Sequence, residues 1–172
     1  SIVELVAGIA ALRPRPAIAM TTNGAALAAV AAPLAAAGLD RVNVSLDTID
    51  ASQFLALTRR DRLADVIAGL AAAADAGLTP VKVNAVAMRG VNDAVVADLL
   101  AWCLARGYEL RFIEQMPLDA QHGWDRSVMV TAEEIKAGLE ARFELTPVES
   151  TDRGSAPAAR FLVDGGPATV GI

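Results

Sequence analysis

An α/β fold built on a parallel sheet, open or curled toward a barrel, is the architecture that this sequence predicts. Four short strand-like runs, at residues 17–22, 41–47, 81–88 and 110–116, alternate with stretches in which apolar residues recur at helical spacing. A glycine also stands shortly before each of the last three runs, where a helix would end. Four strands are too few to close a barrel, which typically has eight.

The first two helices and the first strand can be placed from apolar spacing and from helix breakers. Residues 2–12 carry apolar side chains at helical spacing, and the prolines at 14 and 16 end that helix. Residues 17–22 are predicted to be a short strand, after which Gly24 permits a sharp turn. Helical spacing returns at residues 27–34, although Pro33 must kink or restart this helix.

The second strand is the most informative element, because its side chains alternate strictly. Arg41, Asn43, Ser45 and Asp47 fall on one face, and the valines and the leucine between them fall on the other. A strand that is buried on both faces of a parallel sheet is apolar throughout. The polar face is therefore predicted to line a cavity that binds a ligand.

The alternation of strands and helices continues to residue 116 and then stops. Helices over residues 63–70 and 95–103 precede the last two strands, and Asn92 with Asp93 is predicted to cap the second helix. A loop follows at 117–130. The Thr131 capping box then opens a helix that runs to about Arg142.

The chain is expected to form one compact unit with two parts. Residues 1–116 form a partial barrel core, and residues 117–172 form a loop, a helix and a hairpin. The hairpin is predicted from two strand-like runs, 159–163 and 168–172, that flank a turn at residues 164–166.

Composition excludes several classes of protein. The 172 residues include 15 basic and 20 acidic side chains, which give a net charge of −5, and no basic block marks a nucleic-acid interface. Although 54% of the residues are hydrophobic, no apolar run reaches the roughly 20 residues of a membrane span. A single cysteine, Cys103, excludes an internal disulfide. We expect a cytoplasmic protein without a nucleic-acid or membrane partner.

Polar residues stand at all four predicted strand ends, where parallel α/β proteins bind ligands. The candidates are Thr21, Ser45, Lys82 and Met116. Lys82 lies between two valines, and its ammonium is costly to bury unless an anion such as a phosphate meets it. The alternative interpretation is an ion pair with a structural carboxylate.

Two other residue types that often carry chemistry are given structural interpretations. Cys103 lies in an apolar helical stripe and is expected to be a buried, inert thiol. His122 has no carboxylate at triad or ligand spacing, so we expect a solvated loop residue.

Four motifs, in order along the chain, resemble those of one known family. They are Thr-Thr-Asn-Gly at residues 21–24, Val-Asn-Val-Ser-Leu-Asp at 42–47, Val-Lys-Val-Asn at 81–84 and Arg-Phe-Ile-Glu-Gln-Met at 111–116. Their sequence and spacing are similar to those of the GTP 3′,8-cyclases of molybdenum cofactor biosynthesis, which are radical S-adenosylmethionine (radical SAM) lyases. The resemblance runs from about residue 17 to residue 116 and continues more weakly to the hairpin.

The resemblance implies a fold, a reaction and a set of ligand contacts. The fold would be an incomplete TIM-type barrel of the (β/α)6 kind, of which this chain would supply the third to sixth strands. The reaction would convert GTP to (8S)-3′,8-cyclo-7,8-dihydroguanosine 5′-triphosphate, using S-adenosylmethionine and two [4Fe-4S] clusters. Thr21 and Lys82 would contact GTP, and Ser45 and Met116 would contact S-adenosylmethionine.

The cysteines that hold both clusters in this family have no counterpart among these residues. Without a cluster there is no electron to cleave S-adenosylmethionine, so we expect the 172 residues to be a truncated chain that is inactive by itself. The missing strands would leave an open edge on residues 17–22, and a homodimer formed by strand pairing would cover it.

Two other functions stay open. An aldolase-like barrel would use Lys82 to form a Schiff base with a carbonyl substrate, which borohydride trapping would reveal. A non-catalytic nucleotide-binding domain would need no constellation of acid, base or metal, and calorimetry with GTP and S-adenosylmethionine would test it.

Overall fold

The computed structural model describes residues 1–116, 126–148 and 158–172. The helices in these ranges are α1 (Ile2–Ala10), α2 (Leu27–Ala36), α3 (Ala51–Thr58), α4 (Leu63–Asp75), α5 (Val96–Leu104) and α6 (Ala132–Glu140). The strands are β1 (Ala19–Thr22), β2 (Arg41–Ser45), β3 (Lys82–Val86), β4 (Glu109–Ile113), β5 (Leu145–Pro147), β6 (Arg160–Val163) and β7 (Thr169–Gly171). Short 3-10 turns lie at Asp93–Val95 and Arg126–Val128.

All seven described strands belong to one sheet, in the order β1-β2-β3-β4-β7-β6-β5. Strands β1 to β4 and β7 pair in parallel, whereas β5, β6 and β7 pair antiparallel. The α/β class is confirmed, and so is the hairpin, which is β6 and β7. The hairpin is no separate appendage, however, because β7 pairs with β4 and makes a fifth parallel strand.

The order of the first four strands is the one a barrel would use. β1 to β4 are neighbours in chain order with helices between them, as in (β/α) barrels. Their closure into part of a six-stranded barrel stays a prediction, as does the domain boundary at residue 116. Strand β1 has β2 as its one partner in the described sheet, and pairing between copies through its other edge also stays a prediction.

The core lies between one face of the parallel strands and the helices. Val42, Val44, Val83 and Leu110 are each at most 2% exposed, and they belong to one cluster with buried side chains of α2, α4 and α5. Burying such side chains contributes roughly 1.5–3 kcal/mol each. Because the helices cover this face, the opposite face of the sheet is left for other contacts.

Helix α4 packs closely on the turn between β1 and α2. A Cβ added to Gly69 of α4 would lie 2.5 Å from the carbonyl oxygen of Gly24. Real Cβ atoms do not approach so closely, so a larger residue would push the helix away from the turn. This contact fixes the carboxyl end of β1 and therefore the position of Thr21.

Most of the predicted helix ends are confirmed. Helix α1 ends at Ala10, before the two prolines. The glycines at 38, 77 and 107 have positive φ, as helix-ending glycines commonly do. Thr131 and Glu134 form the predicted capping box at the start of α6, and α2 continues through Pro33.

The predicted cap at Asn92 is wrong, because its side chain is used elsewhere. Its Oδ1 accepts a hydrogen bond from the Met88 amide (2.7 Å), and its Nδ2 donates to the carbonyl oxygens of Asp47 (2.7 Å) and Val86 (2.9 Å). Asn92 is 3% exposed, and the start of α5 has no side-chain cap. The amide satisfies three backbone groups where β2 and β3 end, which a solvent-facing cap could not do.

Some elements were not predicted, and one prediction cannot be compared. The sequence analysis assigned no element to α3, whose one buried residue is Phe54, or to the three-residue strand β5. His122 and the greater part of the predicted loop 117–130 lie outside the described residues.

The helices of the described ranges are short. The longest, α4, has 13 residues, and no described helix is both long and apolar enough to cross a bilayer.

Candidate ligand-binding site

Polar side chains on the sheet face away from the helices fall into two rows that cross the strands. Register partners on parallel strands present their side chains to the same face. The first set, which we call the paired row, is Thr21, Asn43, Lys82 and Glu109. The second set lies two residues further along each strand, and we call it the free row: Ser45, Asn84 and Arg111.

The side chains of the paired row bond to one another. Asn43 Nδ2 donates to Thr21 Oγ1 at 3.4 Å, and Lys82 Nζ lies 2.9 Å from Glu109 Oε2. Lys82 therefore has the carboxylate partner that the alternative interpretation required. The two side chains of this ion pair are 25% and 37% exposed, and pairs of this kind contribute only about 0–1 kcal/mol. A ligand phosphate can therefore compete with Glu109 for Lys82.

The side chains of the free row have no such partners. Ser45 is exposed, whereas Asn84 and Arg111 are half-buried. Within residues 1–116, 126–148 and 158–172, none of the three side chains makes a hydrogen bond or an ion pair. Half-buried polar groups usually find partners in the folded chain, so this row is the part of the face most open to a ligand.

Three of the four predicted site residues lie on this face, but Lys82 is not at the end of its strand. Ser45 is the last residue of β2, and Thr21 is next to the last residue of β1, as predicted. Lys82 opens β3 instead of closing it, because the strand extends to Val86, beyond the Lys-Val-Asn pattern. The register still sets Lys82 beside Asn43, which contacts Thr21.

Met116 is the predicted site residue that the structure does not bring to the two rows. It lies beyond the end of β4 and is 57% exposed. Glu114, predicted to share its face, accepts a hydrogen bond from the Ala132 amide at the start of α6 (2.7 Å). Between them, Gln115 Oε1 is buried and has no partner in the described part of the chain. Leaving such an acceptor unpaired costs about 1–3 kcal/mol.

Asp47, on the polar face just beyond β2, has a structural bond. Its carboxylate accepts a hydrogen bond from the Val86 amide at 2.8 Å and so joins the ends of β2 and β3. Burial raises the pKa of this carboxyl above its ordinary value, and the bond from Val86 opposes that shift. Asp47 thus holds the two strand ends beside the free row.

The described residues do not fit an iron–sulfur cluster. No group of three histidine, cysteine or acidic side chains within them could hold a metal ion. Cys103 is fully buried in α5, and burial raises the pKa of its thiol to about 12. Since cluster ligands are thiolates, this cysteine is the inert core thiol that the sequence predicted.

Comparison with known families decides the ancestry of this sheet. The profile of the Radical SAM superfamily matches residues 1–103. The chain belongs to the radical SAM superfamily. Members of this superfamily are enzymes that use S-adenosylmethionine and a [4Fe-4S] cluster, so the parallel strands with one polar face are those of a radical SAM enzyme.

The chain is also similar to curated radical SAM proteins named GTP 3′,8-cyclase. It is 62% identical to the protein of Streptomyces coelicolor over 171 residues, which are 99% of this chain and 50% of that protein. It is 61% identical to that of Mycobacterium sp. strain KMS (98% and 48%) and 60% identical to GTP 3′,8-cyclase 2 of Mycobacterium tuberculosis H37Rv (96% and 46%). The chain spans about half the length of these relatives.

Sequence reasoning did not identify several polar residues of this face. Glu109 and Arg111 alternate with the buried Leu110 and Phe112 in β4, so the same period-two pattern that marked β2 was present there. The pairing of Glu109 with Lys82 requires the strand register, which the sequence does not contain. Gln115 carries no sequence signal, because its burial depends on how the chain leaves β4.

Proposed function

We propose that this chain is the part of a GTP 3′,8-cyclase that forms one wall of the site for GTP and S-adenosylmethionine. The observation that carries the proposal is the polar sheet face, on which Thr21, Ser45 and Lys82 lie together opposite the helix-covered core. The identity of about 60% to proteins named GTP 3′,8-cyclase supports the same reaction. The product would be (8S)-3′,8-cyclo-7,8-dihydroguanosine 5′-triphosphate.

Each ligand is assigned by chemistry to part of this face. Lys82 would exchange Glu109 for a phosphate of GTP, and the Thr21 hydroxyl would donate a hydrogen bond to the same nucleotide. The Ser45 hydroxyl, which has no partner in the described residues, would bond to S-adenosylmethionine. Met116, exposed beyond β4, would pack against that ligand once the neighbouring chain closes over it.

The 172 residues by themselves would bind ligands without turning them over. A cluster supplies the electron for cleavage of S-adenosylmethionine, and this chain has one cysteine, which is buried. What these residues supply is positioning: they hold the two ligands side by side on a rigid sheet. Schiff-base catalysis is less well supported, because Lys82 is engaged by Glu109 and not set in an apolar pocket.

The test uses the intact gene product that contains this chain, with its clusters reconstituted without oxygen. We expect it to convert GTP to the cyclic product, detected by mass spectrometry, when S-adenosylmethionine and a reductant are present. Lys82→Ala should raise the KM for GTP about tenfold or more, since a charge-assisted bond contributes roughly 1.5–3 kcal/mol.

Cys103→Ala is the matched control and should leave turnover unchanged, because this thiol lies in the core. Consumption of S-adenosylmethionine without any change in GTP would contradict the cyclase assignment. Turnover by the isolated 172 residues would contradict the requirement for a cluster held outside them.

A further inference from the structure

Arg111 is a half-buried cation without a counter-ion. It lies in the middle of β4 with its side chain on the polar face, in register with Asn84. The ion pairs of the described residues occupy other arginines and Lys82, and none of them includes Arg111. A guanidinium withdrawn from water is costly unless an anion meets it. The position therefore lacks an anionic partner.

The space around Arg111 is kept open by a small residue. Its register partner on β7 is Gly171. A Cβ added to Gly171 would lie 3.3 Å from Arg111 Cγ and 3.4 Å from Arg111 Nε, which is tighter than most real contacts. The stem of Arg111 therefore lies across Gly171, and any larger residue there would move the guanidinium.

Asn84 provides a second donor on the same side. Neighbouring strands are about 4.8 Å apart, so its amide is next to the base of Arg111 in the free row. Its side chain makes no hydrogen bond in the described part of the chain. A guanidinium fork with an amide NH₂ beside it matches the oxygens of a carboxylate or a phosphate.

We propose that Arg111, assisted by Asn84, binds an oxyanion of a ligand on the polar face. This inference rests on the proposed function for the source of the oxyanion, which is the carboxylate of S-adenosylmethionine or a phosphate of GTP. Lys82 is a weaker candidate for the primary contact, since Glu109 already neutralises it. Arg111 would bind the anion without first giving up a partner.

The test measures how fast phenylglyoxal modifies Arg111 in the intact gene product, by mass spectrometry of its peptide. Arg41, exposed on the same face at the start of β2, is the internal control. Ligands are compared in pairs that differ in the oxyanion: S-adenosylhomocysteine with 5′-methylthioadenosine, and GTP with guanosine. Inorganic pyrophosphate tests the anion alone. Equilibrium dialysis records binding of each compound.

We expect the oxyanion-bearing member of one pair to slow modification of Arg111 about fivefold or more relative to Arg41, and its partner compound to have no effect. Protection by S-adenosylhomocysteine identifies the carboxylate, and protection by GTP identifies the phosphate. Arg111→Gln should weaken binding of the protecting compound about 10- to 100-fold, whereas Arg41→Gln should not.

Failure of this inference can be told from failure of the proposed function. If GTP and S-adenosylhomocysteine bind but no anion protects Arg111, the inference is overturned and the cyclase proposal stands. If neither of them binds but pyrophosphate still protects Arg111, the oxyanion site stands and the cyclase proposal fails. If no compound protects Arg111 under any condition, the inference is overturned.

Discussion

The two rows on the polar face of the sheet differ in one respect, which is whether their side chains already have partners. In the paired row, Lys82 bonds to Glu109 and Asn43 bonds to Thr21. In the free row, Ser45 and its neighbours make no side-chain bond in the described residues. A ligand must break existing bonds to use the first row, whereas it can use the second directly.

This difference separates a structural role from a binding role on a single surface. Residue type alone pointed to Lys82 as the sharpest signal, yet its charge is balanced within the fold. Unbalanced groups are expensive in the absence of a ligand and therefore indicate where one belongs. Substitutions that fill the free row, release the paired row, or act just beyond both test this view, in decreasing order of expected effect.

Filling the free row should have the largest effect. Ser45→Leu places an apolar side chain where the ligand would lie, and overfilling a fitted site costs about 1–3 kcal/mol, or roughly 5- to 200-fold in affinity. The melting temperature should not fall, because Ser45 is exposed. Calorimetry with S-adenosylhomocysteine measures the loss. Ser45→Ala, which removes only the hydroxyl, should cost about tenfold at most.

Full affinity in Ser45→Leu would show that the ligand does not occupy the free row, and the distinction between the two rows would then have no functional meaning.

Releasing the paired row should have a moderate effect of the opposite sign. Glu109→Gln removes the carboxylate that competes for Lys82, so GTP should bind up to about fivefold more tightly. Asp98→Asn removes a carboxylate from an ion pair with Arg142 on the helical side, 2.8 Å long, and is the matched control. Weaker GTP binding in Glu109→Gln would mean that the ligand uses the ion pair intact.

The smallest effect is expected at Asp47, which holds the strand ends but lies outside both rows. Its pKa is raised by burial, so the folded state keeps the proton longer than the unfolded state does. The free energy of unfolding therefore falls as pH rises from the ordinary value of 3.8 through the raised one, and the penalty remains at neutral pH.

Asp47→Asn removes this titration while its side-chain oxygen can still accept the bond from Val86. The variant should gain stability relative to the parent as pH rises from below 3.8 to neutral. Urea unfolding at the two pH values measures the change. A stability difference that stays constant with pH would show that the carboxyl does not titrate in this way.

Much of the fold followed from periodicity in the sequence. The alternation in β2 correctly separated the buried Val42 and Val44 from the polar Asn43 and Ser45. The placement of β7 beside β4 could not be predicted, because a hairpin sequence does not specify which strand it will join. Helix α3 was missed since Phe54 alone anchors it, which leaves no apolar stripe to recognise.

The candidate site was predictable in composition but not in its internal pairing. The shared face of Thr21, Ser45 and Lys82 follows from side-chain alternation and strand register. That Glu109 neutralises Lys82 while Arg111 stays without a partner depends on the offset between β3 and β4. A single sequence carries no information on this offset, and sequence reasoning therefore passed over Arg111.

The most direct test is a crystal structure of the intact gene product with GTP and S-adenosylhomocysteine bound. Both ligands should lie against the polar face, with contacts to Ser45 and Lys82 and with an oxyanion on Arg111. Ligands bound on the helix-covered side of the sheet, or away from β2 and β3, would contradict the account.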